Sequence, residues 1–379
     1  MTASHQQQTT AKIVKDLLYK VALTKIPLVG AVTAKNLVSY CGGAREVFDA
    51  KKSGLVKIPG VGEQTAASVL TKTALEEAER EIEFIEKNQI EPLFYLDKNF
   101  PQRLRNFYDA PVMLYYKGTA NLNYQRTISI VGTRTPTPQG LSICEELVEG
   151  LSPYKPIIIS GLAYGIDIAA HRKSLQTGLE TVGVLGHGLS RIYPAQHRKT
   201  ATEMLEHGGL LTEFASHVGP ERENFPMRNR IVAGLCDALI VVETAVRGGS
   251  IITAQHGAGY NKEVFAVPGR LKDKFSQGCN FLIKKNMAGL VESAADIAAV
   301  LKWNLDGKQQ EKVVQRELFH ELTDQEKVII DLIQKEDEIG VDQLSYKSSI
   351  QNSELASLLL NLEFKGLVRS LPGKRYILC

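Results

Sequence analysis

Between residues 11 and 90 the apolar positions recur at helical spacing. Ile13, Leu17, Leu18, Val21 and Leu23 would share one helix face. Two short turns interrupt this region, Ile26-Pro27-Leu28-Val29-Gly30 and Ile58-Pro59-Gly60-Val61-Gly62, spaced as a degenerate internal repeat. The acidic run Glu76 to Glu86 reads as a solvated helix face without catalytic meaning. From about residue 126 the period changes. Short apolar runs at Ser129–Val131, Ile157–Ser160, Thr181–Leu185, Leu210–Glu213, Ala238–Val242 and Val264–Val267 predict strands, most followed by a Gly-rich or polar loop and a helix. That alternation predicts an α/β fold, an extended Rossmann-like, doubly wound and mostly parallel sheet. Ligands of such sheets bind beyond the carboxyl ends of the strands, so function is sought in those loops.

Residues 304–317 are polar and charged and read as a linker. Beyond them, apolar positions Val328, Ile329, Leu332 and Ile333, then Val341 and Leu344, then Leu355, Leu358, Leu359 and Leu362 predict three helices, the last capped by Ser353. A hairpin turning at Pro372-Gly373 completes a predicted winged helix. The expected organisation is a helical domain at 8–91, an α/β domain at 92–303, the linker, and a winged helix at 318–379.

Composition adds exclusions. Of 379 residues, 44% are hydrophobic and 23% charged, so disorder of the whole chain is ruled out. Lys plus Arg is 45 and Asp plus Glu is 42, a net of +3, so any polyanion site must be a local patch. The surplus sits in the middle: residues 93–319 carry +5 and residues 320–379 carry −3. Cys41, Cys144, Cys236, Cys279 and Cys379 are scattered and form no C-x-x-C, which fits a reducing cytoplasm. The polar start of the chain has no signal-peptide core, and no apolar run is long enough for a membrane span.

Five loops carry the candidate chemistry. In Val131-Gly132-Thr133-Arg134, Gly132 permits close backbone approach and Arg134 offers a fork for phosphate. It is neither a dinucleotide fingerprint nor a Walker A loop, which argues against NAD. Ser160-Gly161-Leu162-Ala163-Tyr164-Gly165-Ile166-Asp167 forms a second cradle, with His171 one turn on as either a ligand contact or a structural histidine. Gly186 to Pro194 sets Tyr193 near His197, Arg198 and Lys199. Phe225-Pro226-Met227-Arg228-Asn229-Arg230 opens an apolar helix. One of its arginines is expected to pair with Glu243 and the other to meet a ligand. Glu243 to Thr253, with Gly249 and Ser250, is another strand-to-helix loop. Together they suggest a site for a chain of phosphates. No Ser-His-Asp order, paired carboxylates or metal spacing stands out, so no catalytic residue, metal or cofactor is assigned.

These loops resemble the DNA-processing protein A family, DprA, also called Smf. The resemblance is carried by Val131-Gly132-Thr133-Arg134, Ser160 to Asp167 with Ala170-His171, Gly188 with Tyr193-Pro194, and Phe225 to Arg230. It continues through Val242-Glu243, Gly249-Ser250 with Thr253, and Val267-Pro268-Gly269 with Gly278 and Asn280, across roughly residues 92–303. Tyr95, Phe100-Pro101 and Pro111 to Gly118 resemble the family's segment before the Rossmann-like core. Arg247-Gly248-Gly249-Ser250 stands where the family more often has Arg-Ser-Gly-Ser, and His197 where it often has Asn. The resemblance implies a cytoplasmic protein that is not an enzyme, binds single-stranded DNA and loads the RecA recombinase onto it in natural transformation. It also implies a homodimer through the Rossmann-like domain, near residues 280–303.

Carried over, it places Arg134, Gly161, Phe225, Arg228, Asn229, Arg230 and Ser250 in a positive pocket for the strand. The wider expected contact set adds Gly132, Thr133, Ser160, Tyr164, Gly165, His171, Tyr193, Arg198, Lys199 and Gly249. A single-strand site wants cations for phosphates and aromatic faces for bases, and these loops offer both. The Ile58 to Gly62 turn resembles a helix-hairpin-helix, with Leu28 replacing the first glycine in the other copy. The acidic winged helix is expected to be a partner or regulatory module. Arg-rich helix starts beside a Gly-rich Glu loop also resemble the nucleoside-monophosphate phosphoribohydrolases (LOG family), with Glu243 as acid/base. The chain lacks that family's Pro-Gly-Gly-x-Gly-Thr-x-x-Glu loop. A regulatory nucleotide sensor is a third reading.

Overall fold

The computed structural model describes residues 16–71, 73–304, 322–336, 339–348, 350–365, 367–371 and 375–378. They fall into two compact units divided near residue 305. Residues 8–15, most of the expected linker and the Pro372-Gly373 turn lie outside the described residues.

At the centre of the larger unit is a nine-stranded sheet: β1 Glu91–Phe94, β2 Met113–Gly118, β3 Thr127–Val131, β4 Ile157–Ser160, β5 Thr181–Val184, β6 Gly208–Thr212, β7 Ala238–Val241, β8 Glu263–Ala266 and β9 Gly289–Leu290. Its order is β1-β2-β6-β5-β4-β3-β7-β8-β9. From β6 to β9 all pairs are parallel. β3, β4, β5 and β7 are buried along their whole length, as strands covered by helices on both faces must be, and their near-continuous apolar runs follow from that. β1 and β2 join antiparallel beside β6 and were not anticipated. β1 has only four residues, and β2 is buried at Met113 to Tyr116 without alternation, so no period marks them.

The helical module packs on these two added strands. Its core joins Val21, Leu37, Leu55, Val69 and Ile82 to Phe94, Met113 and Tyr115. Helix Thr73–Lys87 buries Ala74, Ala78, Ile82 and Ile85, one stripe at helical spacing, and leaves most of its glutamates exposed. The two turns are structural copies. Leu28 (φ 66°) and Gly60 (φ 82°) occupy the same left-handed position. Gly30 and Gly62, both extended, then start helices Ala31–Cys41 and Glu63–Val69.

The smaller unit is a winged helix. Helices Asp324–Glu336, Val341–Ser348 and Asn352–Phe364 close over Ile329, Ile333, Leu344, Leu355, Leu359 and Leu362. β10 Ile339–Gly340, β11 Val368–Leu371 and β12 Arg375–Leu378 form an antiparallel sheet in the order β10-β12-β11. Ser353 does not cap the third helix. Gln351 precedes it, and Ser353 lies in its first turn. The exposed positions of that helix include Glu354, Leu360 and Glu363, and the helix has no Lys or Arg.

Candidate nucleic-acid interface

The strand order reverses at β3. The chain winds outward through β4, β5 and β6 on one side and through β7, β8 and β9 on the other. The crevice beyond the carboxyl ends of β3 and β7 is therefore the expected ligand position of a doubly wound sheet. A groove of about 580 Å³ opens there. Each strand from β3 to β8 sends residues from its following loop into it: Arg134 after β3, Gly161 after β4, Tyr193 after β5, Arg222 and Phe225 after β6, Gly249 and Ser250 after β7, and Phe275 after β8. A smaller cavity of about 90 Å³ adjoins it, lined by Tyr164, His187, Tyr193, Phe225 and both Arg134 and Arg228.

Arg134 is exposed, and its guanidinium lies 5.4 Å from the centroid of the Phe225 ring. Tyr193 is 47% exposed, with its ring 6.2 Å from Phe225. Cation and aromatic faces thus alternate along one wall. Arg228 is different: only 5% exposed, it donates to the carbonyl of Val184 at the end of β5. Asp167 lies beside it; a Cβ on Gly161 would sit 2.3 Å from both side chains, so only glycine fits between the loop and these two groups. Burial pushes the Asp167 carboxyl up, opposed first by Arg228.

Gly165 starts helix Ile166–Gln176 in a left-handed conformation (φ 81°), and a Cβ there would lie 2.2 Å from the Thr133 carbonyl. That carbonyl accepts the Ile166 N–H at 3.2 Å, tying the β3 loop to the β4 loop. Ser250 donates to the Gly132 carbonyl at 2.8 Å, which ties in the β7 loop. The amide side of Asn229 reaches the Gly249 carbonyl at 3.5 Å. The helices that start at Ile166 and Gly249 have their N-termini at the groove end of the sheet, where helix N-termini favour an anion.

The structure brings Gly132, Thr133, Arg134, Gly161, Tyr164, Tyr193, Phe225, Arg228, Asn229, Gly249 and Ser250 to the groove and its cavity. It does not bring the remaining six there. Ser160 is fully buried and donates to the Ile130 carbonyl at 2.5 Å. His171 is fully buried, with Nε2 2.5 Å from the Gly161 carbonyl and Nδ1 2.6 Å from the Thr181 hydroxyl, so it supports the loop from beneath. Gly165 shapes the backbone, as above. Arg198 and Lys199 are exposed at the start of helix Arg198–Glu206, outside the groove lining. Arg230 points to the other side of its helix.

The expected partnership of Glu243 with an arginine is corrected by this geometry. Arg230 pairs with Glu213 at the end of β6, both side chains 12% exposed. Glu243 instead accepts the Thr137 N–H at 2.9 Å and its hydroxyl at 2.6 Å, at the start of helix Pro138–Leu151. Both glutamates follow a strand, and Glu213 lies 17 residues before Arg230 across a loop, so the sequence did not distinguish it from Glu243 as the partner. Arg222 and Phe275 were also missed. Arg222 sits in the polar stretch Pro220-Glu221-Arg222-Glu223, which looks like an ordinary solvated loop.

Residues 91–302 match the family DNA recombination-mediator protein A, and residues 319–374 match the DprA winged helix domain. The chain belongs to the DNA recombination-mediator protein A (DprA) family. Among curated relatives, the DNA processing protein DprA of Streptococcus pneumoniae is 40% identical over 54% of this chain and 72% of its own length. A crystal structure of the S. pneumoniae protein aligns with a TM-score of 0.62 at 31% identity, covering 74% of this chain and 97% of that one. A structure of DNA processing protein A from Helicobacter pylori, solved for its single-stranded DNA binding mode, aligns with a TM-score of 0.51 at 29% identity, covering 56% of this chain and 96% of that one. The DprA sheet is thus the element that carries the groove. Among the described residues no helix is long and apolar enough to cross a membrane.

Proposed function

We propose that the groove at the β3/β7 switch point binds single-stranded DNA and that the chain delivers that strand to RecA in recombination and natural transformation. The observation that carries this reading is the wall in which Arg134 lies over Phe225 beside Tyr193, above the helix starts at Ile166 and Gly249. Cations and N–H groups suit phosphates, and open aromatic faces suit unstacked bases. The likeness to the H. pylori protein, studied with single-stranded DNA, supports the same assignment. We read the chain as a helical module at 8–91, a DNA-binding domain at 92–303 and a winged helix at 318–379 joined by 304–317, acting in the cytoplasm without catalysis. We place a homodimer contact near residues 280–303, where β9 ends the sheet with Leu290 51% exposed and Val300 is 50% exposed. The phosphoribohydrolase reading is not favoured, because Glu243 is engaged by Thr137 and does not line the groove.

The test is fluorescence anisotropy of the full chain with labelled dT oligonucleotides and a matched duplex at several salt concentrations. Single strand should bind more tightly than duplex. Arg134→Ala should weaken binding and flatten the salt slope by about 0.7, one phosphate contact. An unchanged slope removes Arg134 from the phosphate path. Equal affinity for duplex and single strand refutes the assignment of the groove.

A further inference from the structure

One carboxylate of the helical module is buried at its contact with the sheet and has no place in the groove. Glu81, on helix Thr73–Lys87, is 4% exposed. Its Oε1 accepts the Ser216 backbone N–H at 2.8 Å. Its Oε2 accepts the Ser216 hydroxyl and the Lys25 ammonium, both at 3.1 Å. The Lys25 side chain is 5% exposed, and His217 Nδ1 stands 3.9 Å from the carboxylate. A buried ion pair is a weak source of net stability compared with apolar packing. What it adds here is a fixed position for Ser216.

Ser216 lies in the loop from β6 to helix Asn224–Leu235, and the far end of that loop supplies Pro220 and Arg222 to the groove. Its middle also holds the neighbouring loop. The Gly188 N–H donates to the Val218 carbonyl at 3.0 Å, and the Ser190 hydroxyl donates to the Ser216 carbonyl at 2.5 Å. A Cβ on Gly188 would lie 2.0 Å from the Ala215 carbonyl, so the two loops touch backbone to backbone. The second loop carries Tyr193. Two walls of the groove therefore hang from one anchor in a different module.

We propose that Glu81 is a positioning residue for the DNA groove: through Ser216 the helical module sets where Arg222 and Tyr193 stand. This rests on the single-strand reading above and deepens it. The variants are Glu81→Gln and the double substitution Lys25→Met with Glu81→Met, which leaves no unpaired buried charge should the first fail to fold. Amide exchange of the free full-length chain and dT anisotropy at several salt concentrations are measured on each. Exchange over residues 214–222 should quicken. Binding should weaken about tenfold, the worth of one hydrogen bond to a charged group. The salt slope should flatten by about 0.7, as it should for Arg222→Ala alone, and combining Glu81→Gln with Arg222→Ala should flatten it no further. A lowered melting temperature with unchanged exchange and slope would show a merely structural contact and overturn the proposal. So would additive effects of the two substitutions. A wild-type chain that binds no dT at any salt concentration sinks the groove assignment and the brace together, whereas a wild-type chain that binds and is matched by Glu81→Gln sinks the brace alone.

Discussion

Acid should loosen the floor of the groove through one histidine. His171 has no exposed surface, and both ring nitrogens are engaged inside the protein. The Gly161 carbonyl only accepts, so Nε2 carries the proton of the neutral ring, and the Thr181 hydroxyl is shared between Nδ1 and the Ile158 carbonyl at 2.9 Å. A charged ring there would lose its water and face Arg228. Burial, the larger cause, brings its pKa from 6.5 down to about 4. That shift corresponds to about 3 kcal/mol. Between those two values the unfolded chain binds a proton that the folded chain refuses. Stability is therefore fully present above pH 6.5, falls as pH drops toward about 4, and changes no further below it on account of this residue. His171→Asn removes the titration. At neutral pH it should cost about 1 kcal/mol for each lost hydrogen bond, displacing the stability–pH curve. It should also flatten the acid limb, so that wild type loses up to about 3 kcal/mol more than the variant across the window. Denaturant unfolding in steps from neutral pH to the low end of the window measures both. Parallel curves for the two proteins would refute the reasoning, as would an imidazole NMR titration of His171 near 6.5.

Three further outcomes follow from single positions. Phe225→Ala removes the face under Arg134 and beside Tyr193 and should weaken dT binding by about 1–3 kcal/mol with the salt slope kept, as seen by anisotropy. Gly165→Ala forces a Cβ to 2.2 Å from the Thr133 carbonyl at positive φ. It should destabilise the fold by about 2 kcal/mol or more and weaken DNA binding with it, measured by denaturant unfolding and anisotropy; wild-type stability would contradict the strained position. Leu28→Gly relieves an exposed leucine at φ 66°. The left-handed cost of about 1–2 kcal/mol outweighs the about 0.5–1 kcal/mol lost to backbone entropy, so thermal unfolding should shift upward slightly.

Much of this architecture was legible because parallel strands covered on both faces leave unbroken apolar runs. Ile157–Ser160 was anticipated residue for residue, and the other predicted strands differ by one or two residues at one or both ends. The helical repeat was legible from its turns, even though Leu28 hides the left-handed position that Gly60 advertises. What stayed hidden depends on where the chain turns in space. β1 and β2 carry no alternation because one face is buried by the helical module and the other by the main core. The partners of the arginines were hidden for the same reason. Arg228 and Arg230 stand two apart on one helix and so face different sides, one over Asp167 and the other on Glu213. His171 stayed open between a ligand contact and a structural histidine because burial is not written next to it in the sequence. Its fully enclosed ring is what a structural histidine requires.

The same division explains how a chain of net charge +3 could hold a polyanion. Arg230 is neutralised by Glu213, and Arg228 stands beside buried Asp167. Among the described groove-lining arginines, that leaves Arg134 and Arg222 as the two exposed to the groove. Two phosphate contacts give a salt slope of only about −1.4 for a single strand. Affinity beyond that must come from helix-start N–H groups and from bases stacked on Tyr193 and Phe225, which are sequence-tolerant and nearly independent of salt. On the proposed reading such a site would hold any strand whose bases are free and would have little to offer a duplex, whose bases are already stacked. A measured slope near −1.4 fits this division of labour. A slope several times steeper would assign the contacts to cations outside the groove, Arg198 and Lys199 first, and would make the aromatic wall incidental.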